Sequence, residues 1–404
     1  MSRPDPNDLL SYLSPLDKQS DEMLRLVLEL CNQNSGTFNT DGLSDVANIL
    51  LPQLEELEGE IQVRESKPMT AVDDSGMLIE RNLGSMIHVI KYPEAEFKVL
   101  LCIHMDTVYP PDHPFQQCQR LDNGHINGPG VADAKGGLVV LMHALKLLES
   151  SPFAGKIGWE VLINADEEIG SPGSVDVMAE IAQRCDVGLL FEPSLPDGTL
   201  VSWRKGSGNF TFVVRGKAAH AGREFENGRN AIVALARLID EIDCLNTDPD
   251  VTFNAGMISG GTALNVVPDL AIGRVNCRVR TPEQQHRVEE VFERLIRKHN
   301  QQDGIQIEMH GSFSSPPKPM GPDVEDLQRR IESCGRALGQ PVGWRGTGGA
   351  CDGNKFSAAG LPNIDTLGPK GGNIHSDREY LIPDSLVTSS KLAALILLTY
   401  AAEN

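Results

Sequence analysis

The amino-acid sequence predicts an α/β protein with a mostly parallel sheet, into which a smaller domain is inserted. Through the first half of the chain, apolar runs typical of buried strands alternate with helical patterns. Residues 202–313 then change to the order strand, helix, strand, strand, helix, strand. With 404 residues the chain is too long for one ordinary core, so we expect two domains.

The first domain begins with two helical patterns, at residues 21–31 and 43–57. Pro52 falls inside the second pattern, so that helix is either kinked or shorter than its apolar spacing suggests. Apolar runs predict buried strands at residues 99–103, 161–163, 187–191 and 364–367. Helical segments at residues 138–148 and 175–181 lie between them, which is the alternation of an α/β domain.

The inserted segment has the element order of a split-βαβ, ferredoxin-like unit. The stretch Ser-Ser-Pro-Pro-Lys-Pro at residues 314–319 is typical of a linker and marks its end. A helical pattern at residues 324–338 then resumes the first domain. The sequence therefore predicts one domain from residues 1–201 and 314–404, and a second from residues 202–313.

Composition and charge argue against several classes of protein. The chain has 36 Lys and Arg against 56 Asp and Glu, and a net charge of −20 repels nucleic acid and anionic membranes as partners. No apolar run approaches the roughly 18 residues of a membrane helix. The opening residues lack the profile of a secretory signal, which favours a cytoplasmic protein. Eight cysteines without a C-x-x-C pair indicate reduced thiols.

Acidic and histidine side chains follow the predicted strands at four places, where open α/β sheets build their sites. His104 and Asp106 end the first strand and, being two residues apart, share a face. Asp133 lies in the glycine-rich loop beyond, residues 166–168 read Asp-Glu-Glu, and Glu192 follows the next strand. One such carboxylate is commonly a helix cap or a surface group. Four in succession predict a functional site.

This set of side chains favours a metal site. Histidines with several carboxylates suit zinc or another borderline divalent ion, and a carboxylate can bridge two metals about 3.5–4 Å apart. A second histidine is therefore expected. The stretch Gly-Gly-Asn-Ile-His-Ser-Asp-Arg-Glu-Tyr at residues 371–380 supplies it as His375.

With this last stretch the chain resembles the M20 metallopeptidases, close to the glutamate carboxypeptidase (carboxypeptidase G) and acetylornithine deacetylase branch. Eight stretches match in the family's order across most of the chain. They are residues 104–108, 130–137, 166–170, 191–194, 216–222, 265–268, 348–352 and 375–380. The resemblance implies a zinc-peptidase-like catalytic domain and makes the ferredoxin-like insertion a lid and dimerisation domain.

The resemblance also implies two Zn²⁺ ions per chain, with Co²⁺ or Mn²⁺ as substitutes. Asp133 would bridge the two ions. His104 and Glu192 would complete one coordination shell, and Glu168 and His375 the other. The peptide bond after Asp133 would be cis, a conformation that outside proline persists only where the surrounding structure imposes it.

Three further residues receive catalytic roles from the resemblance. Asp106 would hold the ring of His104, and Glu167 would be the general base that acts on the water. His220, in the stretch at residues 217–222, would reach the partner subunit's site and stabilise an oxyanion, which implies a homodimer. Without the resemblance, His220 is best interpreted as a turn histidine after a strand.

Substrate-binding positions follow in the same way. They are Asn265, Arg278, Gly348 and Gly349. A planar guanidinium suits a terminal carboxylate through paired hydrogen bonds, and Arg274 and Arg280 are close competitors of Arg278 for that role. Cys351, in the same glycine-rich loop, has no activating histidine beside it in sequence, so a cysteine nucleophile is disfavoured.

The predicted enzyme hydrolyses the amide bond of an N-acyl amino acid or of a short peptide with a free C-terminal carboxylate. It would use a metal-activated water with Glu167 as general base. Two alternatives stay open. An aminopeptidase or dipeptidase would have a similar site but would need a free amine on its substrate. A catalytically silent metal-binding protein would keep the ligands, although the presence of Glu167 argues against it.

Overall fold

The structure is a computed structural model that describes residues 3–404. Met1 and Ser2, which open the predicted first domain, lie outside the described residues. The α-helices are α1 (Ser20–Cys31), α2 (Thr40–Glu55), α3 (Lys135–Glu149), α4 (Val175–Ala182), α5 (Ala231–Asp243), α6 (Pro282–His299), α7 (Pro322–Ala337), α8 (Asp352–Ala358) and α9 (Asp384–Glu403). The described residues also form three 3₁₀ segments, at Pro6–Lys18, Glu167–Ile169 and Phe225–Asn227.

The strands of residues 3–404 form six sheets of two to six strands. They are β1 (Glu60–Arg64), β2 (Met69–Val72), β3 (Leu78–Arg81), β4 (Met86–Lys91), β5 (Lys98–His104), β6 (Gln119–Arg120), β7 (Ile126–Asn127), β8 (Gly158–Asn164), β9 (Val187–Leu190), β10 (Leu200–Arg204), β11 (Gly206–Arg215), β12 (Ala219–His220), β13 (Thr252–Gly260), β14 (Val266–Val267), β15 (Leu270–Val279), β16 (Gln306–Ser315), β17 (Trp344–Thr347), β18 (Asn363–Ile364), β19 (Gly371–Gly372) and β20 (Tyr380–Leu381).

The largest sheet has the strand order β1-β4-β8-β5-β9-β18. Strands β8, β5, β9 and β18 are mutually parallel, whereas β4 runs antiparallel to both β8 and β1. The predicted α/β fold with a mostly parallel sheet is therefore confirmed, with an antiparallel pair added at one edge. The parallel strands bring their carboxyl ends to the same side of the sheet.

Both faces of the sheet are buried at strands β5, β8 and β9, which is why these strands read as continuous apolar runs. In β5, Leu101 and Ile103 pack into the larger core together with α1, α3 and α9. The alternate residues Leu100 and Cys102 face a second cluster that includes residues of α4 and α8. The period-two alternation of a strand thus divides an unbroken apolar run between two layers of helices.

The helix α9 is long and apolar enough to cross a membrane by length and composition. Within the described chain, 72% of its most apolar window is buried. It packs against α3 and the first 3₁₀ segment, so it is the central helix of this core. Because it is apolar on nearly all sides, it has none of the amphipathic spacing by which the outer helices are identified.

The inserted unit is an antiparallel sheet of order β13-β15-β11-β16, covered by α5 and α6. This order confirms the ferredoxin-like prediction. Its core is separate from that of the first domain and centres on Phe292 of α6, which is fully buried. The rings of Phe210, Phe212 and Phe253 surround it, with centroids 4.9, 5.5 and 5.7 Å away.

Helix α2 continues through Pro52 and ends at Glu55, before the end of the apolar pattern at residue 57. One local expectation was wrong. The strand expected at residues 364–367 ends at Ile364, since beyond it the pairing becomes irregular and the Glu192 N–H donates to the Asp365 carbonyl at 3.0 Å. Strands β10 and β16 run across the predicted domain boundaries, which remain a prediction.

The two chain segments that join the domains are fastened by one buried ion cluster. Arg204 and Lys318 exchange backbone hydrogen bonds at 3.1 Å, one on each connecting segment. The Asp365 carboxylate accepts hydrogen bonds from Arg204 Nε at 2.9 Å, Arg204 Nη2 at 2.9 Å and Lys318 Nζ at 2.6 Å. All three side chains are buried. Burial raises the pKa of Asp365, but the two cations outweigh it and hold that pKa below its usual range.

Asp365→Asn should destabilise the protein by roughly 3–5 kcal/mol, because it leaves two buried cations without their counter-ion. The ion pair contributes stability above the unfolded-state pKa of about 3.9 and loses it as the pH falls towards the depressed folded-state value. Urea denaturation followed by circular dichroism measures the change. The control is Glu293→Gln, which breaks the exposed pair with Arg297 and should cost less than about 0.5 kcal/mol. Equal effects would contradict the assignment.

Candidate metal centre

The parallel strands deliver three acidic or histidine positions to one edge of the sheet. Strand β5 ends at His104, the turn after β8 carries Glu167 and Glu168, and Glu192 follows β9. Asp133 comes from the loop before α3. That helix approaches β9 closely because Gly137 has no side chain, and a Cβ there would lie 2.1 Å from the Phe191 carbonyl oxygen.

His375 arrives from the loop between β19 and β20. Its backbone φ is +59°, a left-handed conformation that is uncommon for residues other than glycine, although histidine adopts it more often than most. Backbone conformations of this kind cluster at functional sites, where the surrounding structure maintains them. The side chain is half exposed, whereas that of His104 is 1% exposed. The centre is therefore open to solvent on the His375 side.

The five predicted ligands form two triads that share Asp133. His104 Nε2 lies 3.1 Å from Asp133 Oδ1 and 3.7 Å from Glu192 Oε2. His375 Nε2 lies 3.2 Å from Asp133 Oδ2 and 3.2 Å from Glu168 Oε2. Each carboxylate oxygen of Asp133 therefore faces a different histidine.

This donor set fits divalent metal ions. Ligand atoms of His104, Asp133 and Glu168 all lie within 4.8 Å of one another. Two imidazole nitrogens and three carboxylates suit a borderline ion such as zinc. Five ligands exceed what one tetrahedral ion uses, and a carboxylate whose two oxygens face separate triads is suited to bridging.

Asp106 supports both sides of the centre from a fully buried position. Its Oδ1 lies 3.3 Å from His104 Nδ1, and its Oδ2 accepts a hydrogen bond from Thr37 Oγ1 at 2.7 Å. The backbone N–H groups of Glu167 and Glu168 donate to the same carboxylate at 3.2 and 3.3 Å. The Asp106 backbone carbonyl lies closer to the same Nδ1, at 3.0 Å, so the backbone and the side chain of Asp106 together orient the imidazole. The side chain also fixes the turn that carries Glu168.

Glu379 was not identified from the sequence, yet it holds the loop that presents Asp133. Its buried carboxylate accepts from the N–H groups of Gly130, Ala132 and Asp133 at 3.2, 3.0 and 3.1 Å. The hydroxyl of Tyr109 donates to it at 3.0 Å. The peptide bond after Asp133 is cis, as the family resemblance implied.

The electrostatics of the centre follow from burying several carboxylates together. Burial and the neighbouring Asp133 raise the pKa of Glu168 to about 7. Burial raises the pKa of Glu192 as well. Asp133 behaves differently, since the hydrogen bonds from His104 and His375 outweigh its burial and hold its pKa below the usual range. Asp133 is thus the carboxylate that stays ionised most readily.

Glu167 is placed beside the triads without belonging to either. Within residues 3–404, the Glu167 carboxylate makes no hydrogen bond. Its backbone N–H donates to Asp106 Oδ1 at 3.2 Å. Burial raises the pKa of Glu167 well above its usual range, and the negative charges of Glu192 and Asp352 add to the effect. A raised pKa favours a carboxylate that accepts a proton and later returns it.

The structure does not bring His220 or Asn265 to the ligands of the same chain. His220 lies on β12, which pairs with β14, and its Nδ1 accepts from the Gly222 N–H at 3.1 Å. Asn265 is adjacent, because its carbonyl oxygen accepts from the Ala221 N–H at 2.9 Å. Both are exposed at the surface of the inserted domain. Among residues 3–404, neither has a hydrogen bond or ion pair with the five ligands.

Arg278 extends from β15 of the inserted domain towards the glycine-rich loop of the first domain. Its Nη1 donates to the Gly348 carbonyl oxygen at 3.4 Å, and its Nε donates to Asn276 Oδ1 at 3.0 Å. The neighbouring Gly349 carbonyl accepts from Arg204 Nη1 at 3.2 Å. Gly348 and Gly349 are exposed, so this loop is accessible from solvent.

The two competing arginines are engaged elsewhere. Arg274 donates to the Val72 carbonyl oxygen at 3.1 Å, and the guanidinium of Arg280 lies over the Trp203 ring, 3.4 Å from its centroid. Cys351 is 3% exposed, and burial raises the pKa of its thiol well above the usual range. A thiol kept protonated in this way is a poor nucleophile.

The chain is similar to known proteins over nearly its whole length. The sequence model of peptidase family M20/M25/M40 matches residues 100–399. Carboxypeptidase G2 of Pseudomonas sp. (strain RS-16) is 28% identical over 402 residues, covering 98% of this chain and 93% of that protein.

Solved structures share the fold. An M20 family metallo-carboxypeptidase from Sulfolobus solfataricus has a TM-score of 0.73 at 19% identity, covering 95% of this chain and all of the other. A dinuclear metal-binding peptidase of the M20 family from Bacillus subtilis has a TM-score of 0.65 at 16% identity, covering 94% and 98%. The family model spans well over half of the chain and confirms the resemblance seen in the motifs. This protein therefore belongs to peptidase family M20/M25/M40 and is a metal-dependent hydrolase.

Proposed function

We propose that this protein is a di-zinc hydrolase that cleaves the amide bond of an N-acyl amino acid or short peptide with a free C-terminal carboxylate. The observation that carries the proposal is the pair of triads sharing Asp133, with the unligated carboxylate of Glu167 beside them. Co²⁺ or Mn²⁺ could replace zinc, since the same nitrogen and oxygen donors bind them.

His104, Asp133 and Glu192 would hold one ion, and His375, Asp133 and Glu168 the other. Ions held there would supply Lewis acidity towards a carbonyl oxygen and lower the pKa of a water molecule. Glu167 would accept the proton of the attacking water and pass it to the amine nitrogen that leaves. Burial raises the pKa of Glu167, which supports both steps, because a carboxylate of raised pKa more readily accepts a proton and later returns it.

A free carboxylate on the substrate is supported by the position of Arg278. Its guanidinium lies at the Gly348 loop, and a planar fork of donors suits a carboxylate. The relatives named as carboxypeptidases support the same substrate class. An aminopeptidase would instead need an acidic group placed to bind a free amine.

The direct test of this function is hydrolysis of a panel of N-acetyl, N-succinyl and N-glutamyl amino acids and free dipeptides. Each compound is assayed with added zinc and again with a chelator. We expect turnover of N-blocked substrates that depends on metal. Turnover confined to peptides with a free amine would favour the aminopeptidase or dipeptidase alternative, and metal binding without any turnover would favour a silent metal-binding protein.

A homodimer is supported by the exposed surface of the inserted domain. Strand β13 is an end strand of its sheet, and Met257 and Ile258 on it are 61% and 60% exposed. Leu264, next to Asn265, is fully exposed. A free strand edge can pair with another chain, and apolar side chains exposed together mark interaction surfaces. In the proposed dimer, His220 would complete the site of the partner subunit.

Glu167→Gln should lower kcat by at least about 100-fold while metal content stays near two per chain, because it removes the base and preserves the shape. Glu168→Ala is the matched comparison at the adjacent position and should lose metal. Metal analysis and steady-state kinetics on both variants check this. Loss of metal from Glu167→Gln would show that the two glutamates have exchanged roles.

Arg278→Ala should mainly raise KM for carboxylate-bearing substrates, because the carboxylate is bound in both the ground state and the transition state. Arg274→Ala, on the same strand, is the control and should leave KM within about twofold. The readout is the ratio of kcat/KM between a substrate and its C-terminal amide. If that ratio is unchanged in Arg278→Ala, another group binds the carboxylate.

Mixing inactive His220→Ala and Glu167→Ala proteins should restore activity, provided that His220 acts across the dimer. One of the two sites in each mixed dimer would then hold both wild-type groups. Up to about a quarter of the wild-type rate is expected from random exchange, since half of the dimers are mixed and each has one complete site. Labelled chains are used to verify that subunits exchange. If activity still does not recover, His220 has only a structural role.

A further inference from the structure

An apolar pocket opens directly beside the metal centre. It has a volume of about 370 Å³ and is lined by residues 36–39, by residues 107–111 except Tyr109, and by Glu168 and Ile169. Glu168 is one of the five proposed metal ligands, so the pocket adjoins the place where the scissile amide would lie. Cavities that bind small molecules have volumes of about 300–1,000 Å³. This pocket lies within that range and has room for a ring-sized group.

The wall of the pocket is held in place by backbone hydrogen bonds between two loops. The loop between α1 and α2 is joined to the loop after β5 by backbone hydrogen bonds from Thr37 N–H to Thr107 O at 3.2 Å and from Thr107 N–H to Ser35 O at 2.9 Å. Gly36 permits this approach, since a Cβ there would lie 2.5 Å from the Tyr109 carbonyl oxygen. Thr37 also donates to Asp106, which ties the wall to the metal centre.

The side chains that face the pocket are apolar and unusually exposed. Phe38 is 48% exposed and Val108 is 37% exposed, whereas most large apolar side chains of this domain are buried. The Arg81 guanidinium lies 5.1 Å from the Phe38 ring centroid and supports one face of the ring. Exposed apolar side chains gathered at a concave site favour a ligand that removes them from water.

The position of the pocket indicates which part of a substrate would enter it. Arg278, proposed to bind the carboxylate, contacts the Gly348 loop. That loop is connected through Arg204 and Asp365 to the backbone of Glu192, on the His104 side of the bridging Asp133. The pocket adjoins Glu168, on the opposite side. A substrate whose carboxylate lies at Arg278 would therefore direct its acyl group towards Phe38.

The geometry points to this pocket as the subsite for a ring-sized apolar N-acyl group, with Phe38 and Val108 as specificity-determining residues. This inference rests on the proposed function and deepens it from N-acyl amino acids in general to those with an aromatic or similarly bulky apolar acyl group. A small acyl group such as acetyl would leave the walls in contact with water. It would therefore gain less from binding.

The experiment compares N-benzoyl with N-acetyl derivatives of the same amino acid, using alanine, leucine, glutamate and lysine in parallel. Wild-type protein should prefer the benzoyl compounds in kcat/KM. Phe38→Ala should reduce that preference about 10-fold, the lower range for loss of apolar contacts in a pocket. Val108→Phe, which fills the pocket, should also reduce it. Val63→Ala removes a similarly exposed apolar side chain on β1 and should leave the preference unchanged.

A binding measurement separates failure of the subsite from failure of the proposed function. Phenylacetate and acetate are titrated into zinc-loaded protein by calorimetry, with metal content and circular dichroism checked for each variant. Tighter binding of phenylacetate that is lost in Phe38→Ala supports the subsite even if no N-acyl amino acid is hydrolysed. Hydrolysis with an acyl preference that Phe38→Ala and Val108→Phe leave unchanged overturns the subsite and retains the function. If phenylacetate binds no more tightly than acetate and no N-acyl amino acid is hydrolysed, both the subsite and the proposed function are overturned.

Discussion

The carboxylate of Asp133 is the interaction on which the rest of the centre depends. Its two oxygens face His104 and His375 separately, so its position sets the spacing of both triads. Glu379 determines that position by accepting three backbone N–H groups of the loop, including that of Asp133. A shift of this one loop would disturb both proposed metal positions together, because no other side chain belongs to both triads.

Concentrating carboxylates at a buried edge has an electrostatic consequence. Burial raises the pKa values of Glu168 and Glu379 to about 7, and each carboxylate is further affected by the charge of Asp133. The pKa of His375 is raised to about 11 by its hydrogen bonds to Asp133 and Glu168. The edge therefore requires positive charge, as protons or as metal ions. Metal binding at such a site releases protons, so metal affinity falls as the pH falls.

The sequence predicted the parts of this arrangement that depend on strand order. His104, Glu168 and Glu192 could be placed together because parallel strands end at a common edge. Glu379 could not, since its role depends on how the loop after β19 folds against the loop before α3. The same limit applies to Phe38 and Thr37, which lie between two helices and reach the centre only through tertiary contacts. Family resemblance supplied His220 and Arg278, whose placement no periodicity could indicate.

The inserted domain is coupled to the metal centre through its connections. Both connecting segments bind Asp365, and the backbone carbonyl of that residue accepts the N–H of the ligand Glu192. Arg278 of the inserted domain also contacts the first domain, where it donates to the Gly348 carbonyl oxygen. Three hydrogen bonds to the buried Asp365 carboxylate hold both connecting segments at a residue whose backbone carbonyl also positions Glu192. The inserted domain, which carries Arg278, is therefore attached to the first domain beside a proposed metal ligand.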